Sequence, residues 1–176
     1  MHINKSTINI IKTFINSKMI PFKRRKMKVI AYSLFIILLD QFSKFLVLST
    51  LGFERSKNII PNLLNFTLVK NKGAAFSLFT NSTNSLTVIS IIASLLLITI
   101  ILKSSPKSYW NCIGLAYLLG GTVGNGIDRL LKGYVLDFLE LVPINFPIFN
   151  VADISINIAI ICFIIDMIKN NSKTNY

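Results

Sequence analysis

Two aspartates stand where a carboxylate is costly. Asp137 lies in the apolar, strand-like run Tyr134-Val135-Leu136-Asp137-Phe138-Leu139. Asp153 closes Phe149-Asn150-Val151-Ala152-Asp153, just where a long apolar stretch begins. Two carboxyls brought close cannot both ionise cheaply, so they share a proton and their titrations split. The ionised member can then take a proton from water while the neutral one donates to a carbonyl oxygen, which is hydrolysis without a metal or a covalent intermediate. Spacing does not prove that the two meet, but it puts one before and one after the same helix start. Asn150, Asp153 and Asn157 recur at i, i+3, i+7 and form one polar stripe expected to face protein. Read singly, Asn150 is a helix N-cap and Asp153 a first-turn acid that the helix dipole favours.

Other polar residues fall inside apolar segments. Asp40, Gln41, Ser43 and Lys44 interrupt the first of these. A charge at the bilayer centre costs about 2.5–3.5 kcal/mol on insertion scales, so Asp40 and Lys44, one turn apart, are read as a neutralising pair or as part of a site. The run Gly120-Gly121-Thr122-Val123-Gly124-Asn125-Gly126-Ile127-Asp128-Arg129 sets close-packing glycines before Asn125, Asp128 and Arg129. Gly120 and Gly121 read as helix packing, and Asp128 with Arg129 as either a helix-end salt bridge or a polar site. The single histidine, His2, lies in the N-terminal tail, which argues against Ser-His-Asp, Cys-His and histidine–metal chemistry. Cys112 and Cys162 sit in apolar runs without metal-ligand spacing and read as buried thiols.

The elements that position these groups must be membrane helices. The chain has 176 residues, 52% hydrophobic and 15% charged, against about 25% charged in a typical soluble domain. Its net charge of +12 would suit nucleic acid, but the apolar fraction conflicts with that. Four apolar spans are expected, about Val29–Leu51, Leu86–Leu102, Tyr109–Ile127 and Asn150–Ile168. Eight cations precede Val29, two (Lys103, Lys107) lie between the second and third spans, and two (Lys169, Lys173) follow the fourth. The positive-inside rule therefore puts both termini in the cytoplasm and the two longer connections outside. The segment Asn65–Lys70 alternates like a strand, and Gly73-Ala74-Ala75 allows a close turn. The expected architecture is an all-α integral membrane protein: a basic cytoplasmic tail 1–28, a four-helix membrane domain 29–168 with an external β-element in 52–85, and a cytoplasmic tail 169–176. Residues 1–28 read as a disordered tail, a start at Met19 or Met27, or a short interfacial helix.

Five motifs occur together and in order: Asp40-Gln41-Phe42-Ser43-Lys44, Asn71-Lys72-Gly73-Ala74-Ala75-Phe76, Gly124-Asn125-Gly126-Ile127-Asp128-Arg129, Val135-Leu136-Asp137-Phe138 and Phe149-Asn150-Val151-Ala152-Asp153. Over about Met27 to Ile168 the chain resembles bacterial lipoprotein signal peptidase (signal peptidase II). The resemblance implies four transmembrane helices, a small periplasmic β-cradle and the inner membrane. It implies an aspartic-type endopeptidase that cleaves prolipoproteins before a diacylglyceryl-modified cysteine. It makes Asp137 and Asp153 the catalytic pair. Asn71, Gly73, Asn125, Arg129 and Asn150 become substrate-binding residues, and Asp40, Lys44 and Asp128 supports. No metal or cofactor is implied. Membrane lipids and globomycin-type cyclic peptide inhibitors are expected partners, nucleic acid is not, and a monomer is expected. Residues 1–28 have no counterpart in this pattern, and the link from Asp137 to Asp153 is short.

Two rivals fit less well. A Ser-Lys peptidase using Lys44 needs a neutral lysine, and Asp40 keeps it charged. A carrier would thread its carboxylates through the bilayer, whereas Asp128, Asp137 and Asp153 gather at one face.

Overall fold

The computed structural model describes residues 5–53, 55–73, 83–144 and 146–174. In chain order the elements are α1 (Lys5–Leu51), β1 (Ser56–Ile60), β2 (Leu64–Asn71), α2 (Thr83–Lys103), α3 (Tyr109–Lys132), β3 (Val135–Leu141) and α4 (Val151–Thr174). Among the described residues, three helical stretches are long and apolar enough to cross a membrane: Arg24–Leu51, Asn84–Lys103 and Val151–Asn171. The helix between them, α3, carries Asn, Asp, Arg and three glycines in its second half. It packs on α4, α1 and α2 alike, so its neighbours are mainly protein and its sequence is freed from all-round apolarity.

Burial along α1 follows the helical repeat. Val29, Ser33, Ile36, Asp40, Lys44 and Val47 are buried, at spacings of three and four, while Leu34, Phe35, Leu38, Phe42 and Phe45 face outward. A soluble helix reverses this arrangement. Here the apolar face meets hydrocarbon and the polar face meets protein. The basic N-terminal segment is helical from Lys5, not irregular, and runs on into the rest of α1.

The sheet is antiparallel, in the order β1-β2-β3. Strand β2 takes in the expected strand Asn65–Lys70, and β1 joins it through a hairpin with Asn62 at φ 59°. No alternation marked β1 beforehand, since all its residues are exposed. Val47 of α1 packs with Leu68, Leu136 and Phe138, which seats the sheet on the end of the bundle. The residues Ala74, Ala75 and Phe76 lie outside the described residues.

Two local devices bring the parts together. At the end of α3, Gly133 adopts φ 75° and its N–H donates to Arg129 O at 3.0 Å, so the chain turns straight into β3. The far edge of β3 captures Phe149, with Leu139 N donating to Phe149 O at 2.8 Å and Phe149 N to Leu139 O at 3.1 Å. That bridge sets Asn150, and with it the start of α4, beside Asp137.

Glycines set how closely α3 approaches. A Cβ on Gly121 would lie 2.5 Å from Ala152 O, and one on Gly120 2.7 Å from the Ile36 side chain. On Gly126 it would meet only Ser90 Cβ, at 3.4 Å. Gly121→Ala is therefore expected to lower stability by about 1–3 kcal/mol, because the opposing atom is backbone. Gly126→Ala should be nearly neutral. Thermal unfolding of both variants in detergent compares them, and equal melting temperatures would contradict this packing.

Candidate active site

The site is built on a buried cation. Lys44 is 1% exposed, with Asp40 and Asp128 at 0%. Its Nζ lies 2.8 Å from Asp40 Oδ2, 2.9 Å from Asp128 Oδ2 and 3.1 Å from Asn125 Oδ1. Those three acceptors match the three hydrogens of an ammonium. Asp128 also takes Lys132 on its other oxygen at 2.8 Å, so two anions and two cations alternate. The i,i+4 pair read from sequence is present, and Asp128 joins it from α3. Ser43 donates to Asp40 O at 2.8 Å, and Lys44 is held charged between carboxylates, so neither is arranged as a serine nucleophile with a lysine base.

Each carboxylate of this cluster also reaches a backbone N–H next to one of the two aspartates. Asp40 Oδ1 accepts from Ala152 N at 2.9 Å, in the first turn of α4. Asp128 Oδ2 accepts from Leu136 N at 3.2 Å, in β3. Gly124 makes room for Asp40, since a Cβ there would stand 2.7 Å from Asp40 Oδ2. Gln41 completes the shell, donating to Asp40 Oδ2 and to Gly124 O, each at 3.1 Å.

Asp137 and Asp153 are gathered by three asparagines. Asn150 Nδ2 donates to Asp137 Oδ1 at 2.6 Å, to Asn125 Oδ1 at 3.0 Å and to Leu136 O at 3.3 Å. Asn150 and Asp153 also form a reciprocal cap, with Asp153 N donating to Asn150 Oδ1 at 3.0 Å and Asn150 N to Asp153 Oδ2 at 3.1 Å. Asn125 Nδ2 donates to Asp153 Oδ1 at 2.8 Å. Asn71 Nδ2 donates to Asp137 Oδ2 at 2.8 Å, and Gly73 N donates to Asn71 Oδ1 at 2.9 Å in a tight local turn. In register, Asn71 pairs with Val135, which makes Asp137 its diagonal neighbour on the same face of the sheet.

Electrostatics separates the two aspartates. Asp137 is 2% exposed, and burial, reinforced by the charge of Asp153, pushes its carboxyl up to about 7. The amide donors of Asn71 and Asn150 pull the other way without cancelling the rise. Arg129 donates to Ser90 Oγ at 3.3 Å, its reach to α2, and lies within electrostatic range of Asp153, Asp137 and Asp128.

The structure thus brings together Asp137, Asp153, Asn71, Gly73, Asn125, Asn150, Arg129, Asp40, Lys44 and Asp128. Asn157 departs from the expected buried stripe. It is exposed and donates to Asp153 O, because β3 and Asn125 cover only the first turn of α4. Gln41, Ser90, Gly124 and Lys132 were not singled out from sequence as site residues. Lys132 had a legible signal, lying i,i+4 from Asp128 as Lys44 does from Asp40.

Comparison with known proteins gives the class and then the family. A solved bacterial membrane enzyme, determined by the in meso method at 2.3 Å, superposes with a TM-score of 0.76 at 32% identity, covering 82% of this chain and 90% of its own. A second such structure, at 1.9 Å, gives a TM-score of 0.72, also at 32% identity, covering 80% and 92%. The fold is thus shared with bacterial membrane enzymes. The sequence model of Signal peptidase (SPase) II matches residues 32–169. A lipoprotein signal peptidase of Parasynechococcus marenigrum is 44% identical over 80% of this chain and 89% of its own length. One from Enterococcus faecalis is 40% identical over 77% and 84%. The chain belongs to the signal peptidase II family, whose members are aspartic-type peptidases.

The charge cluster generates a test. Lys44→Ala leaves Asp40 and Asp128 short of a buried counter-charge, at a cost of about 3–5 kcal/mol, so folded yield should fall sharply. Asp40→Asn combined with Lys44→Met leaves Asp128 paired with Lys132 and should recover part of that yield. Size-exclusion of detergent extracts measures both, and a double variant no better than the single one would rule out neutralisation.

Proposed function

We propose that this protein removes signal peptides from diacylglyceryl-modified prolipoproteins, cutting before the lipidated cysteine, with Asp137 and Asp153 as its catalytic pair. The observation that carries the reading is that one residue, Asn150, donates to both carboxylates, through Nδ2 to Asp137 and through N–H to Asp153. Family membership supports the substrate class.

The chemistry follows from the different surroundings of the pair. Asp153 stands at a helix N-terminus with a donor on each oxygen, which favours the anion. Asp137 is buried with its carboxyl raised to about 7, which favours the acid. Asp153 takes a proton from water, whose oxygen bonds to the scissile carbonyl carbon while Asp137 gives its proton to the carbonyl oxygen. The tetrahedral diol then collapses. Asp153 passes its proton to the leaving nitrogen as the C–N bond breaks, and a hydroxyl proton returns to Asp137. Asn71, Asn125, Asn150 and Arg129 line the peptide's path, with Gly73 giving it close access.

In this reading α3 is a fourth membrane crossing and the sheet is an extracytoplasmic cradle over the site. The protein sits in the inner membrane with both termini cytoplasmic. It acts as a monomer among lipids, and a globomycin-type cyclic peptide competes for the site.

Asp137→Asn and Asp153→Asn, each isosteric and unable to exchange the proton, should each cut cleavage of a synthetic diacylglyceryl lipopeptide by at least about a thousandfold while the protein stays folded. A folded Asp153→Asn protein that keeps a large share of wild-type turnover would refute the pair. The acid must be protonated and its raised carboxyl lies at about 7, so kcat/KM should decline as pH rises through that value. Rates measured across the neutral range and on either side of it test the sign, and a basic limb far above 7 would assign the acid elsewhere.

Orientation has its own measurement. Lys57 and Lys107 are both exposed. Cysteines placed there should differ in intact cells, with position 57 labelled by an impermeant thiol reagent and position 107 protected. The opposite pattern would invert the proposed orientation.

A further inference from the structure

Lys44 is placed to do more than neutralise charge. An ammonium has hydrogens to give and no lone pair to accept one. The Asn125 atom facing it at 3.1 Å is therefore the carbonyl Oδ1, and the same atom accepts from Asn150 Nδ2 at 3.0 Å. The side-chain amide is planar, so its NH2 points away from Lys44, to Asp153 Oδ1 at 2.8 Å. Turned over, the amide would set Oδ1 against Asp153, an arrangement that only a protonated Asp153 accepts.

We propose that Lys44 is a positioning residue for hydrolysis: by fixing the orientation of the Asn125 amide it keeps Asp153 ionised and leaves the shared proton on Asp137. The inference rests on the assignment of Asp137 and Asp153 as the catalytic pair. Arg129 from α3 and Asp137 from β3 act on the charge of Asp153, and Asn125 links it to Lys44 of α1, whose cluster holds Asp40, Asp128 and Lys132. The charge of Lys44 is offset by two carboxylates within 2.9 Å, so what it transmits to Asp153 is the direction of a dipole, not a bare field. Arg129 acts on Asp153 separately and stays constant in the comparison below.

The test uses full-length protein in detergent with a synthetic diacylglyceryl lipopeptide. Asp40→Asn with Lys44→Met removes the donor and keeps the cluster's charge balance, and the amide introduced at position 40 retains an acceptor for Ala152 N. Its kcat should fall about tenfold with KM nearly unchanged, and the acid limb of its kcat/KM profile should move up by about one pH unit. Asn125→Asp is the second variant, because the new carboxylate pairs with Lys44 and spares the fold while facing Asp153 with like charge. Its acid limb should move up at least as far. Lys44→Arg keeps a donor and should keep the limb in place. A wild-type acid limb in the folded double variant or in folded Asn125→Asp would overturn the proposal, as would a folded Lys44→Arg whose limb moves like that of the double variant. Turnover retained by Asp153→Asn would instead overturn the catalytic pair, so the two failures are distinct.

Discussion

A single ammonium, that of Lys44, sets the terms on which the bundle closes. A cation removed from water costs several kcal/mol unless anions and acceptors surround it, and losing one partner of such a group typically costs about 3–5 kcal/mol. Lys44 draws Asp40 from its own helix and Asp128 and Asn125 from α3. Those two carboxylates then spend their remaining acceptors on the N–H groups of Ala152 and Leu136. Each N–H belongs to the residue just before one of the two aspartates, so α1, α3, α4 and β3 share one ionic centre. Gly124 is the steric counterpart of that centre, because a Cβ there would stand 2.7 Å from Asp40 Oδ2.

Asparagine does the remaining work in this site, and the reason is its divided amide. In Asn71, Asn125 and Asn150 the carbonyl end is held by a donor that cannot accept: Gly73 N, Lys44 Nζ and Asp153 N respectively. The NH2 end of each is left aimed at Asp137 or Asp153. Neutral donors of this kind support a carboxylate without adding a second charge to a dry pocket. Even so, Asp137, the more deeply buried of the two, has its carboxyl raised to about 7.

Much of this was legible in the sequence. Apolar runs of helical length located all four helices, the alternation in Asn65–Lys70 located β2, and the short apolar run Tyr134–Leu139 located β3. The spacing of Asp40 and Lys44 announced an ion pair, because i,i+4 neighbours on a helix must meet. The addition of Asp128 was not legible, since its distance in space from Lys44 depends on how closely α3 packs, and that rests on glycines whose partners a sequence does not name. Strand β1 was hidden because its residues are all exposed and carry no alternation. Asn157 misled because helical periodicity tells which residues share a face, but not how far along the helix that face remains covered.

The i,i+4 arrangement also bears on how such a chain enters its membrane. Asp40 and Lys44 are made early in synthesis, Asp128 follows only with α3, and Ala152 emerges 112 residues after Asp40. If each helix had to await a counter-ion from another, α1 would meet the lipid as an uncompensated cation. Instead α1 arrives with Asp40 beside Lys44, and α3 with Asp128 beside Lys132, each segment already neutral at these positions. Docking then merges the two pairs into a four-member chain of alternating charge. The order of biogenesis is thereby written into the spacing of four residues.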